Sequence, residues 1–308
     1  MSKYILKRIL ISIPVLIGVI FIIFIMLNVV PGDPITLMMG EHIKPDLIEQ
    51  FRVRMGLDDP VIVRFFKYII NAIQGDLGMS YKLKRDVTDL IKDAFPNTVK
   101  LALFAAVIAW IVGIPAGIIS AIKQNTIIDR LFMSVSLFGV SMPVFWGALL
   151  LQYVFAYKLK VFPVSGYKTW MHLALPAIVL GWSSAGTIAR LARSSLLEIM
   201  QNDFIRTARA KGASESIVVV GHALKNALLP VVTMMAIQIS SLLSGAVITE
   251  SIFSIPGIGR LAVDAISNRD MPLLQGTVLF TTVLIIGGNL VADILYSCLL
   301  YTSDAADD

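Results

Sequence analysis

Charge is what this 308-residue sequence has least of. Asp, Glu, Lys and Arg supply 15% of it, the apolar set 56%, and mean hydropathy is +0.80. A soluble globular chain is roughly a quarter charged, so too little polar surface exists here to cover a water-soluble body, and a bilayer must cover part of it. Cysteine is nearly missing as well. Cys298 stands alone, which excludes an intramolecular disulfide framework, and His42, His172 and His222 are too scattered to cage a metal. No G-x-x-x-x-G-K-[ST] loop occurs, since Lys211-Gly212 has the reverse order, so the chain is not expected to hydrolyse ATP itself. Gly139-Val140-Ser141-Met142-Pro143 lacks the closing glycine of a nucleophile elbow. The net charge of +5 does not mark a nucleic-acid binder, because a basic excess in an apolar chain reports cytoplasmic loops.

What is present is a set of long stretches free of Asp, Glu, Lys and Arg: Ile9–Gly32, Leu101–Ile122, Leu131–Tyr157, Thr169–Ala189, Asn226–Thr249 and Met271–Ala292. Each can cross the hydrocarbon core, which takes about 20 apolar residues. Six transmembrane helices are expected, with Pro14, Pro115, Pro143, Pro176 and Pro230 accommodated inside or at the edges of the bundle. Lys3, Lys7 and Arg8 precede the first stretch, which is too long for a signal peptide and should stay as an anchor. Basic residues also gather at Lys123 and Arg130 and at Arg190, Arg193, Arg206, Arg209, Lys211 and Lys225. Fewer (Lys158, Lys160, Lys168, Arg260 and Arg269) fall in the alternate short loops. The bias predicts both termini in the cytoplasm. With no acid inside the stretches, a proton-coupled secondary transporter or an intramembrane hydrolase has little to work with, and any energy source must come from outside the chain.

Between the first two spans, Pro45–Met55 reads as a short charged helix and Pro60 opens a second. Val61, Phe65, Phe66, Ile69 and Ile73 recur there at helical spacing, a stripe that suits the membrane surface, a soluble partner or the outer ends of the spans. In the 190–225 loop, Ser195 and Glu198 have capping-box spacing. Asp203 begins a short run through Phe204, Arg206, Thr207, Ala208, Arg209 and Ala210 that Gly212 closes, with the acid and bases placed to suit the helix dipole. Small Thr207, Ala208 and Ala210 leave room for close approach of a partner, with Arg206 and Arg209 at the edges. Ser214 starts a further helix. By composition alone the same loop could be a solvated basic connector. Along the fifth span, Gln238, Ser241, Gly245 and Thr249 fall near one helical face with Glu250 at its outer end: a weakly polar stripe for a transient passage, or ordinary small-residue helix packing.

Ala208-Arg209-Ala210-Lys211-Gly212 followed by His222-Ala223-Leu224-Lys225-Asn226-Ala227-Leu228-Leu229-Pro230 resembles the coupling-loop signature of binding-protein-dependent ABC importer permeases, in the variant of the peptide/nickel subfamily. Further matching segments follow in the right order. They are Tyr4-Ile5-Leu6-Lys7-Arg8, Pro31-Gly32-Asp33-Pro34, Gly75-Asp76-Leu77-Gly78-Met79-Ser80, Glu250 through Leu261, and Asn289 through Tyr296. Arg206-Thr207-Ala208 replaces the family-wide Glu-Ala-Ala, as is usual in this branch. The resemblance ends at Tyr296, and the acidic 297–308 tail is unlike the family's end.

The resemblance implies an all-α polytopic protein of the type I ABC importer permease fold. It would comprise an N-terminal transmembrane helix (1–32), an extracytoplasmic segment with short helices (33–97), a core of five transmembrane helices (98–296) and an atypical tail (297–308). It implies a second homologous permease, two ATP-binding cassette ATPases carrying ATP and Mg, and an extracytoplasmic substrate-binding protein. This chain would sit multi-pass in a prokaryotic inner membrane with no cofactor or active site of its own. Subfamily cargoes are dipeptides, oligopeptides, glutathione and nickel, and a di- or oligopeptide is the favoured expectation. An ion-coupled secondary transporter and a membrane-embedded enzyme are the competing classes.

Overall fold

The computed structural model describes residues 2–29 and 58–304. The expected Pro31–Pro34 motif and Pro45–Met55 helix lie outside the described residues. In chain order the helices are α1 (Ser2–Val29), α2 (Val61–Ile73), α3 (Val87–Ile122), α4 (Ile127–Ser141), α5 (Val144–Lys158), α6 (Trp170–Ile199), α7 (Asp203–Ala210), α8 (Glu215–Ala227), α9 (Leu229–Leu243), α10 (Val247–Ile252), α11 (Ile258–Ser267) and α12 (Met271–Asp304). Helices α5 and α8 contain π-helical turns over Gln152–Lys158 and Val218–Ala223. Among the described residues the fold is all-α, with one isolated β-bridge between Met79 and Asp86.

Helices α1, α3, α6 and α12 are each long and apolar enough to cross a membrane; α4–α5 and α8–α9 add two crossings if each bent pair counts as one. The bends are 103° in the first pair and 48° in the second. At the first, Pro143 has no N–H to give and forces Met142 into extended backbone (φ −72°, ψ 126°), so α4 ends there. Pro96, Pro115 and Pro176 sit inside unbroken helices. Helix α3 has 36 residues, about 54 Å at 1.5 Å per residue. That exceeds a hydrocarbon core of about 30 Å, so the helix starts well before Leu101. Ser195 and Glu198 do not open a helix. Ser195 is buried within α6, which runs on because Leu196 is gripped by Ile205, Ala208 and Val218.

The α3–α6 pair forms the centre. A Cβ on Gly117 would sit 2.5 Å from the Ala189 carbonyl oxygen and 2.7 Å from the Ala192 methyl, and one on Gly113 2.7 Å from the Ala185 carbonyl oxygen. In a bilayer, where burying hydrocarbon gains little, such backbone approach is what joins helices. Helix α2 packs Phe65, Tyr68 and Ile69 against Ile20 and Phe24 of α1 and Leu279 of α12. Phe66 and Ile73 of the expected stripe stay exposed.

Polar ties pin both ends of the bundle. At one end Arg8 meets Asp293 at 3.1 Å, and Arg193 grips Asp129. At the other, Ser80 binds Asp270 and Thr98 binds Glu250. Thr98 and Ser120, a partner of Asp129, lie on α3 about 33 Å apart. The two sets therefore mark opposite faces.

Candidate functional sites at the two ends of the bundle

Helix α7 is eight residues long, too short to persist alone. Three features hold it. Asp203 lies in its first turn and Arg209 in its last, opposing the dipole at both ends. Its C-terminus closes in a Schellman arrangement: Gly212 N donates to the Arg209 carbonyl (2.9 Å) and Ala213 N to the Ala208 carbonyl (3.3 Å). Gly212 takes φ +85° with nothing within 4 Å of a built Cβ, so backbone conformation alone demands glycine. Finally, Ile205 and Ala208 bury against Ala121, Leu196, Val218, Val219 and Ala223.

That inward face corrects one expectation. Ala208 is 8% exposed and faces its own chain, so it offers no room to a partner. Phe204, Arg206, Thr207 and Ala210 face outward. Arg206 leans on Asp203 (3.3 Å). Arg209 is not a free edge residue: its Nε and Nη2 donate to the two carboxylate oxygens of Glu215 at 2.7 and 3.2 Å, bracing α7 against α8. Sequence reasoning missed Glu215, whose six-residue separation from Arg209 spans a turn and matches no helical period. It missed the deeper pin too. Arg193 donates twice to Asp129, at 2.7 and 2.8 Å, and Asp129 also accepts from Ser120 and from Asn125 N (2.9 Å). This ties the α3–α4 turn to α6, ten positions before α7 begins at Asp203.

The expected polar stripe of the fifth span does not form one face. Helix α9 stops at Leu243, and Gly245 at φ +113° turns the chain away, where its Cβ would meet Gly259 N at 2.9 Å. Gln238 and Ser241 remain on α9. Gln238 Nε2 donates to the Ser184 carbonyl (3.2 Å), and Ser241 is exposed. Thr249 and Glu250 are instead 1% and 0% exposed. Thr98 Oγ1 donates to Glu250 Oε1 (2.8 Å) and Arg260 N to Oε2 (3.0 Å). Ile258 N donates in turn to Thr98 Oγ1 (2.9 Å), and Asn97 Nδ2 to the Pro256 carbonyl (3.0 Å). Glu250 thus ties the start of α11 to α3, rather than lining a passage. Burial pushes its carboxyl above the usual carboxylate range, while the Arg260, Thr98 and Gly259 donors pull it back in part. A Cβ on Gly257 would lie 2.4 Å from the Glu250 carboxyl carbon, which is why glycine stands there.

Asp270 makes a second tie at that end. It accepts from Ser80 Oγ, from Tyr81 N and Lys82 N (both 3.2 Å), and from Leu273 N (3.4 Å). One side chain caps α12 and holds the Gly75–Ser80 motif against it. The motif could be seen in the sequence; its partner, 190 positions away, could not.

Comparison with known proteins decides the family. Residues 1–102 match the N-terminal part, and residues 113–299 the main part, of the binding-protein-dependent transport system inner membrane component. The chain belongs to that family. This permease is 42% identical to the glutathione transport system permease protein GsiC of Escherichia coli O6:H1, over 97% of this chain and 98% of the relative. It is 39% identical to the dipeptide transport system permease protein DppB of Alkalihalophilus pseudofirmus, over 96% and 98%. Among solved structures it resembles the MetNI methionine ABC transporter in an inward-facing conformation, with a TM-score of 0.59 and 16% identity over 68% of this chain and 96% of that one. An amino acid ABC transporter crystallised with histidines gives 0.51 and 16%, over 68% and 92%. These likenesses establish the type I ABC permease fold. The chain is a transmembrane permease subunit of an ABC importer.

Proposed function

We propose that this permease, paired with a second one, forms the uptake pathway for short peptides, a class that includes the tripeptide glutathione. The near-full-length likeness to glutathione and dipeptide permeases carries that reading of the cargo. The 190–225 loop faces the cytoplasm, both termini lie on that side, and two ATPases dock beneath with ATP and Mg. An extracytoplasmic binding protein loads the pathway from above. Helix α7 is the segment an ATPase grips, through Phe204, Thr207 and Ala210, with Arg206 alongside and Gly212 closing the turn. What supports this role is a short helix braced from three sides: Arg209–Glu215, the buried Ile205–Ala208 face, and the Arg193–Asp129 pin a few residues upstream. A lever must be stiff to transmit force, and alternating access needs two states that ATP and loaded binding protein bias differently. On the cargo side, Gln238 and Ser241 of α9 are the residues proposed to line the passage. The test is uptake and ATP hydrolysis by the reconstituted complex with dipeptide-loaded or glutathione-loaded binding protein. Hydrolysis that neither cargo stimulates would overturn the peptide assignment.

A further inference from the structure

The corner between α5 and α6 presents an exposed aromatic and basic surface. Helix α5 turns its small residues, Gly147, Ala148 and Ala156, into the bundle and its aromatics outward. Trp146, Tyr153 and Tyr157 are 46%, 52% and 64% exposed, and Trp170 at the start of α6 is 63% exposed. The connection is built rather than loose: Gln152 Nε2 donates to the Val164 carbonyl (2.8 Å) and Gly166 N to the Phe253 carbonyl (2.9 Å). Tyr153 and Tyr157 stack with centroids 5.8 Å apart, and Lys158 Nζ stands 5.6 Å from the Tyr153 ring centroid.

Charge at this corner has one sign. Lys158, Lys160 and Lys168 are exposed, and the sequence has no Asp or Glu between Arg130 and Leu197. Among the described residues no carboxylate pairs with any of the three. The 103° bend at Pro143 turns α5 out of the line of α4, and the Gly166–Phe253 contact sets the α5–α6 connection beside the short helix that carries Glu250. Trp and Tyr settle at headgroup level, where a flat apolar ring with a polar atom has both solvents within reach, and lysine extends its ammonium toward phosphate.

We propose that this corner is a binding surface for anionic lipid headgroups, with Lys158, Lys160 and Lys168 contacting the phosphate and Trp146, Tyr153, Tyr157 and Trp170 holding the corner at interfacial depth. The inference rests on membership of a membrane-permease family and on this geometry. It is independent of the cargo and of the role of α7, so it stands or falls apart from them.

The test places a fluorophore at Leu159→Cys in a Cys298→Ser background, in the importer assembled with cysteine-free partners and reconstituted into vesicles. Brominated phosphatidylglycerol should quench it with an association about fivefold above brominated phosphatidylcholine, the order expected for even one lysine near a charged surface. The Lys158→Gln/Lys160→Gln/Lys168→Gln variant should bring the two lipids to parity while phosphatidylcholine quenching holds. Excess inorganic phosphate should not compete. Equal quenching by both lipids in the parent would overturn the proposal. Displacement by phosphate would reassign the lysines to a soluble anion, and quenching by neither lipid would mean that a protein partner covers the corner.

Discussion

Arg193 of α6 holds Asp129 of α4 with both arms of its guanidinium, at 2.7 and 2.8 Å, across 64 positions of sequence. With Ser120 of α3 on the same carboxylate, three helices share one polar contact at the end of the bundle from which α7 hangs. A bidentate arginine fixes direction as well as distance, so the end of α6 that leads into α7 is set against α3 and α4 together.

Removing one member of that pair strands a charge in a buried place, which typically costs about 3–5 kcal/mol. Arg193→Met should therefore lower the unfolding midpoint of the reconstituted permease clearly. Asp129→Leu/Arg193→Met should recover much of the loss, because neither charge then remains. A single variant that melts with the wild type would show that the pin contributes nothing.

Coupling gives a sharper contrast. A left-handed conformation costs an L-residue roughly 1–2 kcal/mol, so Gly212→Val should strain the Schellman turn. Thr207→Trp should block the outward face. Both should reach the membrane yet lose stimulated ATP hydrolysis and uptake in the full complex. Ala208→Trp should behave differently and reduce assembly itself, since its site is the Ile205–Val218 core. Wild-type stimulation in Gly212→Val and Thr207→Trp would remove α7 from the mechanism.

Glu250 predicts a pH dependence. Its pKa in the fold is raised by burial above the unfolded value. Its contribution to stability therefore grows as pH falls through the folded-state pKa, and is complete below the ordinary value of about 4.3. Glu250→Gln, neutral throughout, should flatten that part of the stability–pH curve. Glu250→Ala should cost about 1–3 kcal/mol for each donor left unpaired, namely the Thr98 hydroxyl and the Arg260 amide. A Gln variant with the parent's slope would assign the titration to another group.

Orientation is checked by single-cysteine labelling in the Cys298→Ser background. An impermeant reagent added outside intact cells should modify a cysteine at position 85 and spare one at 209. Modification at 209 would invert the proposed topology.

Composition and spacing determined the membrane class, the apolar stretches, the absence of a phosphate loop and the Gly212 stop of α7, because each depends on length, hydropathy or one residue's backbone freedom. Tertiary structure decided the rest. Pro143 ends α4 while Pro115 sits inside an unbroken helix, and residue type alone does not tell the two apart. Ala208 and Thr207 are adjacent and both small, yet only contact with Val218 and Leu196 settles which one faces inward. Glu250 looked like the mouth of a passage because helical periodicity assumes that the helix continues. Gly245 ends it, and a hydroxyl on α3 together with the first amides of α11 claim the carboxylate. Partners that far apart in sequence share no period, so a buried charge finds its counterpart only once the chain has folded.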